Sequence, residues 1–237
     1  MLVSSVPSIP AKNRLLAALP LEEYELLLPN LETVSLPLKY VLYEPNKPIE
    51  HVYFPIHGVV SLVTIMEDGV AVEIATVGNE GMIGLPVFLG SEIIPMKAFS
   101  QIPGKGIRIK ADVFKDLLNQ GSSLHGLLQR YTQALFNQTA QSAACNRLHS
   151  IEERCCRWLL MIHDRVDSDE YLLTQEFLSQ MLGVRRASVN VVASILQKAR
   201  LIRYSRGRIT ILDRLGLETA SCECYARIKQ EFDRLLG

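Results

Sequence analysis

From Leu31 to Ile109 the apolar residues come in short runs rich in Val, Ile and Tyr, broken at even intervals by Pro-Asn, Gly, Glu-Asp-Gly and Gly-Asn. The runs Val41 to Tyr43, His51 to Phe54, Val59 to Met66, Val70 to Val77 and Lys97 to Ile102 predict strands, and their spacing predicts a sandwich, jelly roll or barrel. Glu67-Asp68-Gly69 sits between two alternating runs and predicts a hairpin turn. Before this region, Asn13 to Leu28 predicts short amphipathic helices. Leu15, Leu16, Leu19, Leu26 and Leu27 are apolar there, Glu22, Glu23 and Glu25 face outward, and Pro20 and Pro29 punctuate. After it the period becomes helical. Asp112 is placed to cap a helix carrying Phe114, Leu117 and Leu118, and Gly121 interrupts. From Ser122 to Cys145 the positions Leu124, Leu127 or Leu128, Tyr131, Ala134 or Leu135, Gln138, Ser142 and Cys145 fall close to heptad spacing. That favours a partner helix, with an ordinary core helix packed on the β domain as the alternative. Ile151 to Arg165 predicts a further helix with Trp158, Leu159 and Ile162 inward.

The most informative stretch is Thr174 to Ile211. Thr174 is a cap for a helix with Gln175 and Glu176 in its first turn and Phe177, Leu178, Met181 and Leu182 on its apolar side. Gly183 ends that helix, Val184 fills the corner, and a second helix from about Arg185 to Arg200 buries Val189, Val192, Ile195, Leu196 and Ala199. Arg185, Arg186, Ser188 and Asn190 are left outward. Two helices joined by a Gly-containing turn form a helix-turn-helix, whose second helix meets base edges in the major groove. Ile202, Tyr204, Ile209 and Ile211 then alternate with Arg203, Ser205, Arg206 and Arg208 around Gly207, which predicts a two-stranded wing. Asp213 is placed to cap a last helix, running to about Leu236 with Leu217, Ala220, Cys224, Ile228 and Leu235 as its contacts.

Charge sharpens the picture. The chain is balanced overall, 25 Lys and Arg against 25 Asp and Glu, yet between Arg185 and Thr210 there are seven cations and no acid. Such concentration is what a phosphate backbone rewards through counterion release. A solvated basic face on a winged helix used for protein contacts is the competing reading. A length of 237 residues with 48% hydrophobic content suits two compact units. Met1 to Pro10 has neither a basic start nor a continuous apolar run, and no later run would span a bilayer, so a cytoplasmic protein without a membrane partner is expected. Five cysteines, an odd number, argue against a disulfide framework. Cys145 and His149 at i, i+4 can share a helix face. Cys222 and Cys224, two apart on an expected helix, point apart, so no metal site is expected, nor is there the N-terminal cysteine cluster of an iron–sulfur sensor.

With that element order in hand, the chain resembles the bacterial Crp/Fnr family of transcription regulators over about residues 13–236. Leu182-Gly183-Val184-Arg185-Arg186-Ala187-Ser188-Val189 and Leu196-Gln197-Lys198-Ala199-Arg200-Leu201-Ile202 look like the family's recognition helix and its exit into the wing. Tyr204-Ser205-Arg206-Gly207-Arg208-Ile209-Thr210 and Cys222-Glu223-Cys224-Tyr225 look like a subfamily with no settled effector. Val77-Gly78-Asn79-Glu80-Gly81-Met82-Ile83-Gly84 is similar to the turn entering the effector pocket of the cyclic-nucleotide-binding β-roll. The resemblance implies an α+β chain: a β-roll (jelly roll) over residues 13–120, a dimerisation helix over 121–147, and a winged helix-turn-helix domain over 148–237. With the heptad spacing, it points to a homodimer joined through Leu124, Leu128, Tyr131, Leu135 and Gln138, with double-stranded DNA as the partner and RNA polymerase as a further one. An effector pocket would comprise Gly81, Met82, Ile83, Gly84, Leu85 and Lys97.

The departures limit what carries over. Members that bind cyclic nucleotide hold the ribose with a Glu after the pocket Gly and the phosphate with an Arg. Here Leu85 follows Gly84, and Pro95, Met96 and Lys97 stand near the Arg position, so the sequence argues against classical cyclic AMP binding and leaves the effector unknown. Ala187 replaces the acidic residue usual after Arg186, and Val191 a later Arg, so a borrowed operator does not fit. The expected function is a dimeric, sequence-specific DNA-binding regulator and no enzyme. Arg185, Arg186, Ser188 and Asn190 are its groove residues, and Arg203, Ser205, Arg206 and Arg208 touch the backbone. Two other classes compete: a winged-helix interaction module without DNA binding, and a cupin-like metal enzyme. The latter has only His51 and His57 in the β region and no His-x-His pair with a following Glu.

Overall fold

A computed structural model describes residues 12–118 and 121–237. The expectation for Met1 to Pro10 lies outside the described residues. Asn13 opens the chain by capping the short helix α1 (Arg14–Ala17), its side chain accepting from the Leu16 amide. It is fully buried because its Nδ2 also donates to the Pro55 and Gly81 carbonyls, both at 2.9 Å. Helix α2 (Leu21–Leu27) follows. Leu26 is solvent-exposed there rather than inward.

Five antiparallel strands make the β-roll: β1 (Glu32–Leu36), β2 (Val41–Tyr43), β3 (His51–Ile65), β4 (Ala71–Val77) and β5 (Lys97–Lys110). They run in the order β1-β5-β3-β4, with β2 also on β5. Two runs that the sequence separates, His51 to Phe54 and Val59 to Met66, are one strand. The intervening Pro55, His57 and Gly58 are absorbed as register shifts against β5. Gly58, at φ +89°, and Gly104 make this possible, because a Cβ on Gly104 would lie 2.0 Å from the His57 carbonyl oxygen. Short α3 (Leu85–Phe88) leaves the turn after β4, and α4 (Ala111–Leu117) is capped by Lys110, with Asp112 in its first turn instead of at the cap.

The long helix α5 (Ser123–Leu148) begins on a Ser122 cap and ends at His149. Ser150 then starts α6 (Ile151–His163) with a full capping box, its hydroxyl accepting from the Glu153 amide while the Glu153 carboxylate accepts from its own. Next come β6 (Glu170–Leu172), α7 (Gln175–Leu182), α8 (Arg186–Lys198), β7 (Ile202–Ser205) and β8 (Arg208–Ile211). The expected two-stranded wing is three-stranded, because β6 pairs with β8 from Glu170 opposite Thr210 to Leu172 opposite Arg208. The last expected helix is two, α9 (Arg214–Ala220) and α10 (Cys224–Leu236), broken at Ser221 to Glu223.

One hydrophobic core runs through both halves. Its bridge is α6, where Cys155, Cys156 and Trp158 to Ile162 are all buried. The heptad-like face of α5 also belongs to it. Leu124, Leu128, Tyr131 and Gln138 are buried within this chain, the Tyr131 hydroxyl donating to the Met82 carbonyl at 3.0 Å and Gln138 Nε2 to the Thr76 carbonyl at 3.2 Å. Leu135 is half-buried beside them. Four of the five expected seam positions are thus buried inside the chain itself, Tyr131 and Gln138 against its β-roll, and Leu135 is partly buried. Heptad spacing marks a buried stripe without saying what buries it.

Candidate nucleic-acid interface

The helix-turn-helix is built from local chemistry. Thr174 Oγ1 accepts from the Phe177 amide at 3.1 Å, and Gly183 ends α7 in the left-handed region at φ +62°, a conformation that costs a glycine little. The Val184 amide donates to the Ser179 carbonyl, which turns the chain into α8. Helix α8 buries Val189, Val192, Ala193 and Leu196. Ile195 and Ala199, expected inward, are exposed, because Ala193 takes the inward place at the i, i+1, i+4 step from Val192 to Leu196.

Arg185, Arg186 and Asn190 are exposed and Ser188 is half-buried, all on the open side of the start of α8. Val191, 60% exposed, lies beside them. The wing is fixed to this helix by the Tyr204 amide, which donates to Gln197 Oε1 at 3.0 Å, and to the segment before α7 by the Tyr204 hydroxyl, which donates to the Leu173 carbonyl at 2.8 Å. Burial pushes the Tyr204 hydroxyl pKa up, while the nearby Arg186 charge opposes the rise. At the wing tip Arg206 (φ +49°) and Gly207 (φ +72°) are both left-handed, the signature of a tight hairpin turn matched to strand twist. All seven cations from Arg185 to Arg208 are exposed. Among the described residues only Arg208 of the seven is ion-paired, to Glu170 at 3.2 Å, and an exposed pair of this kind is weak.

The start of α8 and the wing stay open while α7 docks on the β-roll. Helix α7 lies against β4, with Phe177 edge-on to Phe99 at 6.0 Å between ring centroids. Behind it Trp158 Nε1 donates to Glu73 at 2.7 Å, and Ser61 donates to the same carboxylate at 2.7 Å. Burial lifts the Glu73 pKa to about 7 despite these two bonds and the Arg157 and Arg165 charges. A groove of about 550 Å³ separates the two halves, lined among others by Lys39, Lys97, Phe99, Phe177 and Arg206.

Of the residues expected around an effector, Gly81 to Leu85 are consecutive and Lys97 stands apart from them. Met82, Ile83 and Leu85 are buried, and Ile83 forms a two-way backbone bridge with Tyr53. Gly81 lies so close to Tyr131 that a Cβ would stand 2.4 Å from its hydroxyl oxygen. Gly84, at φ +96°, turns the chain into α3. Lys97 lies elsewhere, opposite Val63 on β5, paired with Glu44 at 3.2 Å and facing the groove. The two histidines of the metal-enzyme alternative, His51 and His57, belong to no cluster of three or more ligating side chains among the described residues. Such a cluster does form where none was expected, from Cys145, His149, Cys222 and Cys224. The break at Ser221 to Glu223 takes Cys222 off the helix, so the argument from helical spacing fails there.

The family model of the cyclic nucleotide-binding domain matches residues 33–121, and that of the Crp-like helix-turn-helix domain matches residues 153–220. Together they take in more than half the chain, in the order that the structure shows. The chain belongs to the Crp/Fnr family. It is a Crp/Fnr-type transcription regulator with a helix-turn-helix DNA-binding domain, a family that binds DNA as dimers. No curated protein matches it. Solved structures resemble this Crp/Fnr chain in fold at low identity. FixK2 from Bradyrhizobium japonicum is 16% identical with a TM-score of 0.68, over 81% of this chain and 98% of its own. TTHA1359, a transcriptional regulator of the CRP/FNR family from Thermus thermophilus, is 20% identical with a TM-score of 0.64, over 80% and 98%. The c-di-GMP responsive global regulator CLP from Xanthomonas campestris is 16% identical with a TM-score of 0.59, over 82% and 100%.

Proposed function

We propose that this Crp/Fnr chain works as a homodimer that reads a two-fold symmetric DNA site. Arg185, Arg186, Ser188 and Asn190 enter the major groove, and Arg203, Ser205, Arg206 and Arg208 grip the flanking backbone. The observation that carries this reading is the exposure of all seven cations, with Arg185 and Arg186 at the start of α8, Arg203, Arg206 and Arg208 on the wing, and Lys198 and Arg200 at the far end of the helix, and with acid absent from the same stretch. Arg186 has the fork geometry for guanine O6 and N7. The wing arginines, by contrast, act as counterion-displacing charges. Two recognition helices about 34 to 36 Å apart read successive major grooves.

The partner-facing seam lies on the open side of α5. Gln129, Thr132, Phe136, Thr139 and Ala143 repeat at steps of three and four, all exposed or half-exposed, and Phe136 is 68% exposed. Thr132 and Thr139 bond back to the Leu128 and Leu135 carbonyls, which satisfies their hydroxyls within the helix. Classical cyclic AMP binding is disfavoured, since Leu85 follows Gly84 where a ribose-binding Glu would stand, and Arg165 beside the turn is engaged in a buried ion pair with Glu80. The regulator acts in the cytoplasm with RNA polymerase as its further partner, in keeping with its family and with the absence, among the described residues, of any helix long and apolar enough to cross a membrane. Selection of bound sequences from a random DNA pool tests the proposal. A palindromic consensus, held less tightly as salt rises, is expected; no enrichment and no shift of any duplex at low salt would overturn it.

A further inference from the structure

Three thiols and an imidazole converge where the long helix ends. Cys145 is in the last turn of α5, His149 is its C-cap, and Cys222 and Cys224 flank the start of α10. One ligand atom from each lies within 4.8 Å of every other. Cys145 Sγ is 3.5 Å from Cys222 Sγ, and His149 Nδ1 is 3.5 Å from Cys224 Sγ. A tetrahedral ion bonded at about 2.3 Å to sulfur and about 2.0 to 2.1 Å to nitrogen holds its ligand atoms roughly 3.5 to 3.8 Å apart, so these spacings fit one ion with little movement. We propose that Cys145, His149, Cys222 and Cys224 form a Cys3His site for a single zinc-class divalent ion.

The surroundings are those of a ligand shell. With Nδ1 toward the sulfurs, His149 presents Nε2 to the Glu223 carboxylate at 3.1 Å, the outer partner that fixes the tautomer of a metal-bound histidine. Gln141 Nε2 donates to Cys224 Sγ at 3.0 Å, a bond that suits a thiolate better than a thiol. The three cysteines are buried and form a small cluster apart from the main core. Binding displaces three thiol protons to solvent, and a divalent ion with three thiolates carries one net negative charge. Arg154 and Arg157 stand on the adjoining face of α6, only 8% and 6% exposed, and their charges reach Cys145. Among the described residues the Nε of each has no hydrogen-bond partner. Each guanidinium is held through a terminal nitrogen, Arg154 on the Leu182 carbonyl and Arg157 on the Ser142 hydroxyl, and an anionic metal–thiolate centre would add a countercharge beside them.

The choice of zinc follows from the donors. Soft sulfur with one imidazole in a tetrahedral set excludes magnesium and calcium, which take oxygen, and four protein ligands close the site to water, as structural zinc does. The spacing suits one ion, whereas a multinuclear iron–sulfur cluster needs its thiolates spread around several metals. The position gives the ion a consequence: it ties the end of the dimer-side helix to the C-terminal helix across the two-residue link at His149 and Ser150.

The test uses the full chain, purified without metal-affinity steps and kept reduced. About one equivalent of zinc per chain is expected by elemental analysis, falling at least tenfold in Cys222→Ser and in His149→Gln. Titration of zinc-free wild type with cobalt should give tetrahedral d–d and thiolate-to-cobalt bands that saturate at one equivalent and vanish on adding zinc, a readout that needs no variant to fold. Zinc should raise the Tm of the wild type but not of Cys222→Ser. Cobalt spectra of the hydrated ion alone, with all five thiols free to titrate, would overturn the proposal. So would iron with acid-labile sulfide, or a Cys145–Cys222 disulfide that persists in reductant. DNA binding plays no part in these readouts, so they stand or fall separately from the proposed operator reading.

Discussion

Arg165 at the end of α6 and Glu80 in the turn after β4 form an ion pair of 2.8 Å, with each side chain only 8% exposed. Glu80 also accepts from the Gly78 amide at 3.1 Å, and Arg165 donates to the Met161 carbonyl at 2.6 Å. Burial alone would lower the arginine's pKa; the Glu80 carboxylate more than offsets this, and the net shift is upward. The pair thus locks the would-be effector turn to the first helix of the DNA-binding half.

Breaking one side of that pair leaves a buried charge alone. Arg165→Met is predicted to cost about 3 to 5 kcal/mol in chemical denaturation, and the double variant with Glu80→Gln should recover much of it. A single-variant cost below about 1 kcal/mol would mean that solvent reaches the pair.

Glu73 makes the docking of α7 sensitive to pH. Its pKa is raised in the folded chain to about 7, so the folded state holds its proton more tightly than the unfolded one. Stability should fall as pH rises from about 4.5 to 7 and stay reduced above that range. Because Glu73 is only half-buried, the penalty is screened to on the order of 1 kcal/mol. Glu73→Gln, compared with wild type in Tm scans at pH 5.5 and pH 8, should be relatively more stable at the higher pH. Parallel pH profiles would remove Glu73 as the cause.

Within the DNA surface the two arginine classes should separate. Arg186→Ala is predicted to cost about 1 to 3 kcal/mol at the selected site and to relax preference at one base pair. Arg206→Ala should weaken all duplexes alike and reduce the salt slope by about one. Equal losses on matched and random DNA for both variants would refute this division.

Phe136→Glu should convert the dimer to monomer in sedimentation experiments while moving stability by less than about 0.5 kcal/mol, since the ring is mostly exposed. Tyr131→Ala, by contrast, removes a fully buried ring and should cost about 3 to 5 kcal/mol. A Phe136→Glu chain that stays dimeric would move the seam elsewhere.

The parts legible in the sequence are those fixed by neighbours in the chain. Thr174 caps α7 and Gly183 ends it through bonds spanning three or four residues, and both are plain in the sequence pattern. Strand β6 was hidden because only Tyr171 of its three residues is buried and its partner β8 lies 38 residues on. The inward role of Leu124, Leu128, Tyr131 and Gln138 was hidden for a related reason: two stripes of α5 share the same spacing, and only the fold decides which one meets the β-roll. The thiol cluster required a helix break at Ser221 to Glu223 that no Pro or Gly announces.

Helix α10 folds back along α5, with Asn137 donating to Glu231 at 2.7 Å and Arg130 to the Leu235 carbonyl at 3.0 Å. Besides the link at His149 and Ser150 and the thiol contacts near it, the DNA-binding half is therefore held to its shaft by a latch at the far end of the chain. Unfastening the latch would loosen one of several ties between that half and the rest of the chain without altering a single base contact. Mutations that retune when this regulator lets go of its genes should thus accumulate at the α5–α10 joint, remote from both the operator and any small-molecule cavity.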